Sequence, residues 1–590
     1  DEMRGLSGNR CQKPARILCR VKASLTILFA LLVTPLAAPH LHGAPNNDFE
    51  QKAAALFTKK YSFHLWNETE HVVDGEDWSL PPWVKAAPYS GVQISEKLVP
   101  VAFPGRIQRT VRASWRETEP TEGAYDFRGV RQEILRESQS GKYAVKMGLG
   151  ASVWETRYFQ SLQDRSIRKT DIGTAPRWLK SYGIPLIEEP PNKSIPFQVV
   201  NLDIYHPEYY QRYLRLVEAF GKSGIPQMKE LDICYLHLVS ASRGEEGAGP
   251  PIGDPRRKLF EERLQAWAKA FKGVTYKLCL VSAKEEDLAL ALQLGMGQRN
   301  GFVEHYLLHA PNPGLGQELD ADGYLVVNER HPLIAENRAS GDENEEYTSG
   351  HVTRFGPIET FPHRYHEATL RMLQMRRNFV WAEGGPWLIN PPLLHYLALE
   401  LGQNARTAPD AWCYLRESVV KGGRNGRPVK NFERWLYQRD ADGARTRATE
   451  KVEVPPQMFE FDRDHLYDLT ARQTQTDKGQ SLIRFGVDEA FLTGGPHAVA
   501  VKITYLDRSN AEWQLEYFTG PNQTATRKVS CGNSGAARTT TFLLQDACFP
   551  GRGRHGTDLQ IRALKGDAVI RLVRVIRLNP QTERPAGGGE

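Results

Sequence analysis

The sequence predicts an α/β fold, in which a (β/α)8 TIM barrel is followed by an antiparallel β-sandwich of the jelly-roll type. Between residues 105 and 405, short apolar runs alternate with amphipathic helical stretches, which is typical of βα units and a parallel sheet. Beyond residue 450, strands with alternating apolar and polar residues are separated by Gly, Asn, Asp and Pro turns, which favours a sandwich. The length of 590 residues allows two or three domains.

Eight apolar runs account for the predicted barrel strands, and eight strands over roughly 300 residues match the size of such a barrel. A doubly wound open sheet is the alternative, but it would usually place a Gly-rich turn after the first strand. The chain has the segment WRETEPTEGAYDF there instead. The predicted strands are 109–115, 143–150, 197–202, 230–240, 276–282, 301–309, 331–336 and 378–383, and the predicted helices are 128–138, 207–221, 257–271, 285–294 and 364–376.

Residues 1–44 have the layout of a secretory signal peptide. A basic stretch ending at Lys22 precedes an apolar run at 25–33, and small residues around Ala37 and Ala44 follow. The apolar run is short for a transmembrane helix, and an uncleaved anchor is the alternative. We therefore expect a secreted or periplasmic protein that has no membrane contact after signal cleavage.

Composition shifts along the chain set the remaining domain boundaries. Residues 45–104 are expected to be an N-terminal extension that packs on the barrel at 105–405. A polar, Gly- and Arg-rich stretch at 406–450 is predicted to be a connector. The accessory β-sandwich then occupies 451–580, and a flexible tail follows at 581–590.

The charge pattern excludes several classes of protein. The chain carries 76 Lys and Arg against 70 Asp and Glu, and the leader holds six of these basic and two of these acidic residues. A nearly neutral remainder without a dense basic run is not typical of a nucleic-acid or membrane-surface binder. The 12 Trp, 22 Tyr and 23 Phe can cover a large core, which argues against disorder.

Cysteine usage gives no metal motif. The sequence has no CxxC pair and no HExxH run, so we expect no dedicated zinc site. Cys531 and Cys548 lie close together in a strand-rich region and could form a disulfide. Cys234, Cys279 and Cys413 lie in apolar segments and are predicted to be buried thiols.

Carboxylates follow two of the predicted strands. Glu245 and Glu246 lie in a Gly-rich turn after the fourth strand, and Glu336 directly follows the apolar run of the seventh. Two carboxylates on opposite sides of a barrel mouth can cleave a glycosidic bond as acid/base and nucleophile. We predict Glu336 and Glu245 as this pair, with Glu246 as the alternative acid/base. A solvated loop position is the alternative for each of these acids.

Other side chains near the predicted strand ends are suited to holding a sugar. Trp rings stack on pyranose rings, while Arg, Lys and His can bind hydroxyl groups or an acidic substituent. Strand alternation places Arg112 and Trp115 on opposite faces, and a packing role is the alternative for every residue of this set. The predicted substrate-binding residues are Arg112, Trp115, Lys146, Trp154, His237, Glu304, His305, Trp381 and Glu383.

The segment WRETEPTEGAYDF resembles a signature of clan A barrel glycoside hydrolases, including the family 42 β-galactosidase-like group. The run NFVWAEGGPWLINPPLLHYLALELG also resembles the eighth strand and final helix of secreted barrels related to them. The resemblance implies an acid/base after strand four and a nucleophile after strand seven, where Glu245 (or Glu246) and Glu336 stand. This chain has SRGEEG where the clan usually has Asn before the acid/base. The C-terminal segment resembles accessory jelly-roll modules of polysaccharide-degrading proteins.

These observations predict a secreted glycoside hydrolase that cleaves β-linked poly- or oligosaccharides, such as an algal galactan, with retention of configuration. The two-carboxylate chemistry requires no cofactor. The long loops 155–195 and 310–362 are expected to shape the cleft, and their basic residues are compatible with an anionic polysaccharide. The alternatives are a non-catalytic carbohydrate-binding protein with a degenerate barrel and a structural surface protein.

Overall fold

The structure, a computed structural model, describes most of the chain between residues 64 and 580. The described ranges are 64–93, 103–188, 196–236, 249–281, 284–302, 317–327, 342–343, 361–381, 391–419, 428–454, 466–551 and 555–580, with the single residues 55 and 359.

Fifteen strands lie in the described residues before position 410. They are β1 Val72–Asp74, β2 Gly91–Gln93, β3 Gln108–Ser114, β4 Ala144–Gly150, β5 Val153–Phe159, β6 Ile167–Ile172, β7 Leu186–Glu188, β8 Phe197–Leu202, β9 Ile233–Tyr235, β10 Leu278–Val281, β11 Gly297–Phe302, β12 Gln317–Leu319, β13 Leu325–Val327, β14 Asp342–Glu343 and β15 Phe379–Trp381. The α-helices among them are α1 Trp115–Thr118, α2 Arg128–Ser138, α3 Pro207–Lys222, α4 Pro255–Ala270, α5 Glu285–Gln293, α6 Phe361–Gln374 and α7 Pro391–Glu400.

Eight of these strands pair in parallel, in the order β2-β15-β14-β11-β10-β9-β4-β3. A parallel bridge between Val92 and Ile107 joins the two ends of this order, because Ile107 directly precedes β3. The amide of Val92 also donates to the carbonyl of Arg106 at 2.9 Å. The eight strands therefore close on themselves, and we call them the parallel ring.

Six of the eight predicted barrel strands overlap strands of the parallel ring. The predicted strand 197–202 forms β8, which belongs to a separate antiparallel sheet, so its assignment to the barrel was wrong. Its place is taken by β2, whose three residues are too few to show a periodic pattern. The segment WRETEPTEGAYDF consequently follows the second ring strand rather than the first. The predicted strand 331–336 lies outside the described residues.

The helices cover the outer surface of the parallel ring as their sequence periodicity predicts. Helix α3 begins with Pro207, whose missing N–H costs nothing at a helix start, and it buries the periodic residues Tyr209, Tyr213 and Leu216. The Asp254 side chain caps α4 by accepting from the amide of Arg256 at 2.8 Å. These helices pack with the outward residues of β3, β4, β9 and β10 in one apolar cluster.

Ion pairs brace the amino-terminal end of the ring. Arg106 donates to both carboxylate oxygens of Asp232 at 2.6 and 3.0 Å, and Asp232 also accepts from the amide of Val145. The ammonium of Lys277 donates to the carbonyls of Pro226 and Met228. Arg106, Asp232 and Lys277 therefore make structural contacts, which is typical of the stabilising end of a parallel barrel.

An antiparallel sheet of four strands follows β4, in the order β6-β5-β8-β7. We call it the antiparallel insert. Its strands β5, β6 and β7 lie wholly or partly in the predicted loop 155–195, of which residues 189–195 lie outside the described part. Arg157 of β5 ties it together by pairing with Glu155 at 2.7 Å and with Glu188 of β7 at 2.8 Å.

The C-terminal part consists of antiparallel strands in two sheets, linked by the pairing of Phe518 with Cys548. Apolar residues from both sheets pack against each other in one core, as in a sandwich. The strands are β16 Asp410–Val419, β17 Lys430–Arg434, β18 Leu436–Gln438, β19 Arg447–Val454, β20 Leu466–Gln473, β21 Leu482–Val487, β22 Gly494–Leu506, β23 Glu512–Thr519, β24 Asn522–Ala525, β25 Val529–Ser530, β26 Ala537–Phe549, β27 Leu559–Lys565 and β28 Val569–Arg577.

The predicted connector 406–450 supplies β16, β17, β18 and part of β19 to these sheets. Strand β16 pairs with β17, β20 and β28, so it lies within the antiparallel part. Cys531 and Cys548 are free thiols, which corrects the disulfide considered from the sequence. Cys234, Cys279 and Cys413 are fully buried, as predicted.

The N-terminal segment 64–93 contacts both parts of the molecule. Strand β1 pairs with β26, while β2 belongs to the parallel ring. Between them, Asp77 forms a buried ion pair with Lys502 of β22, and Glu76 accepts from His366 of α6 at 2.9 Å. The segment expected to pack on the barrel therefore also contributes a strand to the C-terminal sheet. Across the described residues, no helix combines the length and apolar character needed to cross a bilayer.

Candidate functional site

The carboxyl ends of the ring strands are where the βα loops begin, so the side chains on the inner surface near these ends define a candidate site. Val111, Val145 and Met147 face outward, because they pack with the helices. Alternation then places Arg112 and Lys146 on the inner surface. Both were predicted to contact substrate.

Lys146 lies at the centre of the described inner surface. Its ammonium donates to Oε1 of Gln93 at 2.6 Å and stands 4.7 Å from the centre of the Tyr235 ring. These three side chains come from β4, β2 and β9. Tyr235 also packs with Ala144, Ile233, Cys279 and Phe379 in an apolar cluster of its own. The inner surface is thus apolar below Tyr235 and carries hydrogen-bonding groups beside it.

Arg112 lies farther toward the carboxyl end than Lys146. In the strand register Arg112 pairs with Gly148, whereas Thr110 pairs with Lys146. Arg112 is exposed, as is Thr110 two residues before it on β3, whereas Lys146 is 9% exposed. Two cationic side chains therefore line neighbouring strands at this end of the ring.

Trp115 does not reach this surface, which corrects its prediction as a substrate contact. It is fully buried and makes edge contacts with Trp178, Tyr209 and Tyr213. Its indole N–H donates to Glu119 at 2.6 Å. The physical reason is local, because α1 begins at Trp115 and turns the side chain into the layer between ring and helices.

Trp154 lies in β5, at the start of the antiparallel insert. It is half-buried, and the guanidinium carbon of Arg177 lies 4.0 Å from the centre of its ring. One face of the indole is thereby covered by a cation. Trp154 supports the Arg177 side chain rather than presenting that face to a sugar.

The predicted catalytic residues Glu245, Glu246 and Glu336 lie outside the described residues. So do four of the predicted binding residues, namely His237, Glu304, His305 and Glu383. Trp381 is the last residue of β15, where its backbone pairs with Gln93 and with Glu343.

The seventh strand of the ring is β14, Asp342–Glu343. Glu336 therefore precedes this strand, although the sequence predicted that it follows the seventh. Glu343 ends β14 as described, and its backbone pairs with Phe302 of β11 and Trp381 of β15. Strand β14 was not predicted from the sequence, because no apolar run marks it.

One buried cluster has the composition of a metal site. Side-chain ligand atoms of His363, Glu367 and Asp468 lie within 4.8 Å of one another. However, Arg416 contacts Glu367 at 2.6 Å and Asp468 at 2.5 Å, and His363 contacts Asp468 at 2.9 Å. A guanidinium already neutralises the two carboxylates, so we describe this cluster as an ion-pair network between α6 and the C-terminal sheet.

Gln93, Tyr235 and Arg177 were also missed from the sequence. Tyr235 could have been found by alternation, since it lies two residues before His237 on the same predicted strand. Gln93 carries no such signal in a three-residue strand, and the neighbourhood of Arg177 depends on the folding of the antiparallel insert.

No protein-family model matches the chain, and no curated protein sequence matches it. Among solved structures, similarities include endo-glycoceramidase II from Rhodococcus sp. (13% identity, 78% of this chain and 99% of that chain, TM-score 0.27). Another is a family 39 glycoside hydrolase from Bacteroides cellulosilyticus WH2 (10% identity, 83% and 81%, TM-score 0.29). A third is the C-terminal CBM6 of LamC from Zobellia galactanivorans (10% identity, 24% and 99%, TM-score 0.14). These values are too low for the similarities to assign a fold or a function to this chain.

Proposed function

We propose that this chain is a secreted or periplasmic glycoside hydrolase with a (β/α)8 barrel, which cleaves β-glycosidic bonds with retention of configuration. The observation that carries the proposal is the inner surface of the parallel ring. There Gln93, Lys146 and Tyr235 meet beside the exposed Arg112, at the end where a parallel barrel places its chemistry. Amide, ammonium and phenol groups around an aromatic ring are suited to a polyhydroxylated ligand.

The reaction would use two carboxylates. In the first step a carboxylate oxygen forms a bond to the anomeric carbon, while the acid/base protonates the leaving oxygen as the glycosidic bond breaks. In the second step the acid/base takes a proton from water, whose oxygen displaces the carboxylate. We propose Glu245 as acid/base, with Glu246 as the alternative.

Two residues compete for the role of nucleophile. Glu336 is the residue that the sequence pattern indicates. Glu343 is favoured by its place at the end of the described β14. In the clan A glycoside hydrolases that the sequence resembles, the nucleophile follows the seventh strand. Comparison of Glu336→Gln with Glu343→Gln shows which of the two residues has this role.

The binding surface would extend around the barrel mouth. We propose that Arg112 and Lys146 bind sugar hydroxyl or acidic groups, together with His237, Glu304, His305, Trp381 and Glu383. We also propose that the C-terminal sandwich is an accessory module for the polysaccharide.

The experiment that tests the roles is product release by the mature chain and by the variants Glu245→Gln, Glu246→Gln, Glu336→Gln and Glu343→Gln on neutral and anionic polysaccharides. One nucleophile variant and one acid/base variant should lose at least about 1,000-fold in turnover while binding is kept, because each removes a group that acts in the transition state. Full turnover by all four would refute the two-carboxylate assignment. If the parent chain binds a polysaccharide but does not cleave it, this result would favour a binding protein.

A further inference from the structure

Two arginines and a tryptophan lie in neighbouring segments beyond the carboxyl ends of β3 and β4. Arg116 lies in α1, directly after β3, and its amide donates to the carbonyl of Thr174 at 2.9 Å. Arg177 follows shortly after Thr174, at the start of a 3-10 helix spanning Arg177–Tyr182. Trp154 of β5 supports the guanidinium of Arg177 at 4.0 Å from its ring centre. We call these three residues the arginine cluster.

The two guanidinium groups of this cluster repel each other. Burial lowers the pKa of Arg177, Glu155 acts to raise it, and Arg116 lowers it. Both arginines are half-buried, so water screens their charges only in part. Two like charges held close together raise the free energy of the folded protein. A bound anion would offset this repulsion.

The acids near the cluster are engaged elsewhere. Glu155 accepts from Nε of Arg157 at 2.7 Å, and Glu188 accepts from the same guanidinium at 2.8 Å. Within the described residues, neither Arg116 nor Arg177 has a carboxylate at hydrogen-bonding distance. Their N–H donors are therefore available to a ligand on the side away from Trp154.

We propose that the arginine cluster is a subsite for an anionic sugar unit, whose sulfate or carboxylate group is bound by Arg116 and Arg177. A planar guanidinium donates two parallel hydrogen bonds to such an oxyanion, and the contact with Trp154 holds Arg177 in place. Arg112 and Lys146 continue the positive charge along the inner surfaces of β3 and β4. The proposal rests on the proposed function and narrows its substrate to an acidic polysaccharide.

The experiment is affinity electrophoresis of the mature chain in gels that contain a sulfated galactan, a polyuronate or a neutral galactan. The variants are Arg116→Gln, Arg177→Gln and the double variant, with Arg128→Gln as the control. Arg128 is a suitable control because its side chain is 87% exposed and pairs with Asp126 on the surface. Thermal unfolding of each variant reports whether it is folded. If Arg177→Gln does not fold, Arg177→Lys replaces it, since lysine keeps the charge but not the planar pair of N–H donors.

The double variant should bind the anionic polymer at least about tenfold more weakly, since two charge-assisted contacts are removed, and should bind the neutral polymer unchanged. Binding by the parent should also weaken as salt increases. Retardation by the sulfated polymer alone identifies sulfate as the ligand, and retardation by the polyuronate alone identifies carboxylate. Equal binding by parent and folded double variant overturns the proposal.

The two proposals fail in different ways. Cleavage of neutral polymers only, with no retardation by either anionic polymer, overturns the anionic subsite and leaves the hydrolase. Arginine-dependent retardation without cleavage of any polymer supports the subsite and refutes the hydrolase.

Discussion

At the residue scale, Glu119 explains the composition of the segment WRETEPTEGAYDF. One carboxylate oxygen accepts from the Trp115 indole at 2.6 Å and the other from the amide of Gly123 at 2.7 Å. Its carbonyl accepts from the Trp178 indole at 3.0 Å. Glu119 is 2% exposed and Trp115 is fully buried, so water cannot replace Glu119 as the acceptor for the Trp115 indole. The acid fixes the loop after β3 and thereby places Arg116.

We predict that Glu119→Gln lowers the free energy of unfolding by about 1–3 kcal/mol, because either the buried Trp115 indole or the Gly123 amide loses its charged acceptor. Urea unfolding measures the change. Glu133→Gln is the control, since Glu133 pairs with Arg136 on the surface and its loss should cost less than about 0.5 kcal/mol. Equal stability of the Glu119→Gln variant and the parent would refute the structural role.

Some residues of the candidate site could be predicted from strand alternation in the sequence, and others could not. Alternation along β3 predicts that Arg112 and Trp115 lie on opposite faces, and Trp115 does pack between the ring and its helices. Alternation alone does not show which of the two faces the substrate, so the prediction of Trp115 as a substrate contact was wrong. The partners of Lys146 come from β2 and β9, which are distant in sequence, so only the fold brings them together.

At the element scale, close packing of helices depends on where glycine stands. A Cβ atom at Gly221 of α3 would lie 2.9 Å from Cα and 3.0 Å from Cβ of Ala270 of α4. Gly129 of α2 has open space in the same position. The two helices therefore approach each other closely at Gly221, whereas α2 gains nothing from its glycine.

We predict opposite effects of one substitution at these two helix positions. Gly221→Ala should destabilise the protein by about 1–3 kcal/mol, because α3 and α4 must move apart. Gly129→Ala should stabilise it by about 0.5–1 kcal/mol through lower entropy of the unfolded chain. Urea unfolding of both variants checks this pair, and a stabilised Gly221→Ala variant would contradict the described contact between the helices.

Elements with long periodic patterns were predicted best. All five predicted helices occur, since each repeats apolar residues over at least two turns. Strand β8 was placed in the wrong sheet, because alternation is the same whether its neighbours are parallel or antiparallel. The strands in 410–438 were not predicted, because the Gly and Arg residues around them indicated a connector. Their arginines are buried in ion pairs, such as Arg434 with Glu400 at 2.9 Å, which composition alone does not predict.

At the scale of the whole molecule, buried ion pairs join the parallel ring to the C-terminal sheets. Arg434 of β17 donates to Glu400 of α7 at 2.9 Å, and Arg416 of β16 contacts Glu367 of α6. Asp77, in the N-terminal segment that contacts both parts, pairs with Lys502 of β22. Such pairs require their partners, since one charge left alone in the interior is strongly destabilising. They therefore specify how the two parts dock.

The pair of Asp77 and Lys502 predicts a pH dependence of stability. Burial lowers the pKa of Lys502 to about 8 although Asp77 raises it, so the unfolded state binds more protons than the folded state between pH 8 and 10.5. Burial acts to raise the pKa of Asp77, but Lys502 and Ser79 together lower it by more, so its pKa in the folded protein lies below 3.8. The contribution of Lys502 to stability should rise from pH 8 to 10.5, and that of Asp77 should fall as the pH drops below 3.8.

Urea unfolding of the parent and of the double variant Asp77→Asn/Lys502→Met from pH 7 to 10 tests this account. The difference in unfolding free energy, parent minus variant, should increase above pH 8. The single variant Lys502→Met should be less stable than the double variant at pH 7, because it leaves Asp77 unpaired. A difference that decreases above pH 8 would contradict the lowered pKa of Lys502.

We propose that the carboxyl end of the parallel ring hydrolyses β-glycosidic bonds with retention of configuration. NMR of the first-formed product during digestion of neutral and anionic polysaccharides tests this proposal. Retention predicts reducing ends in the β configuration that later mutarotate, with loss of this signal in one nucleophile variant, Glu336→Gln or Glu343→Gln. First-formed α product would contradict retention, and the absence of new reducing ends from every polysaccharide would contradict the hydrolase itself.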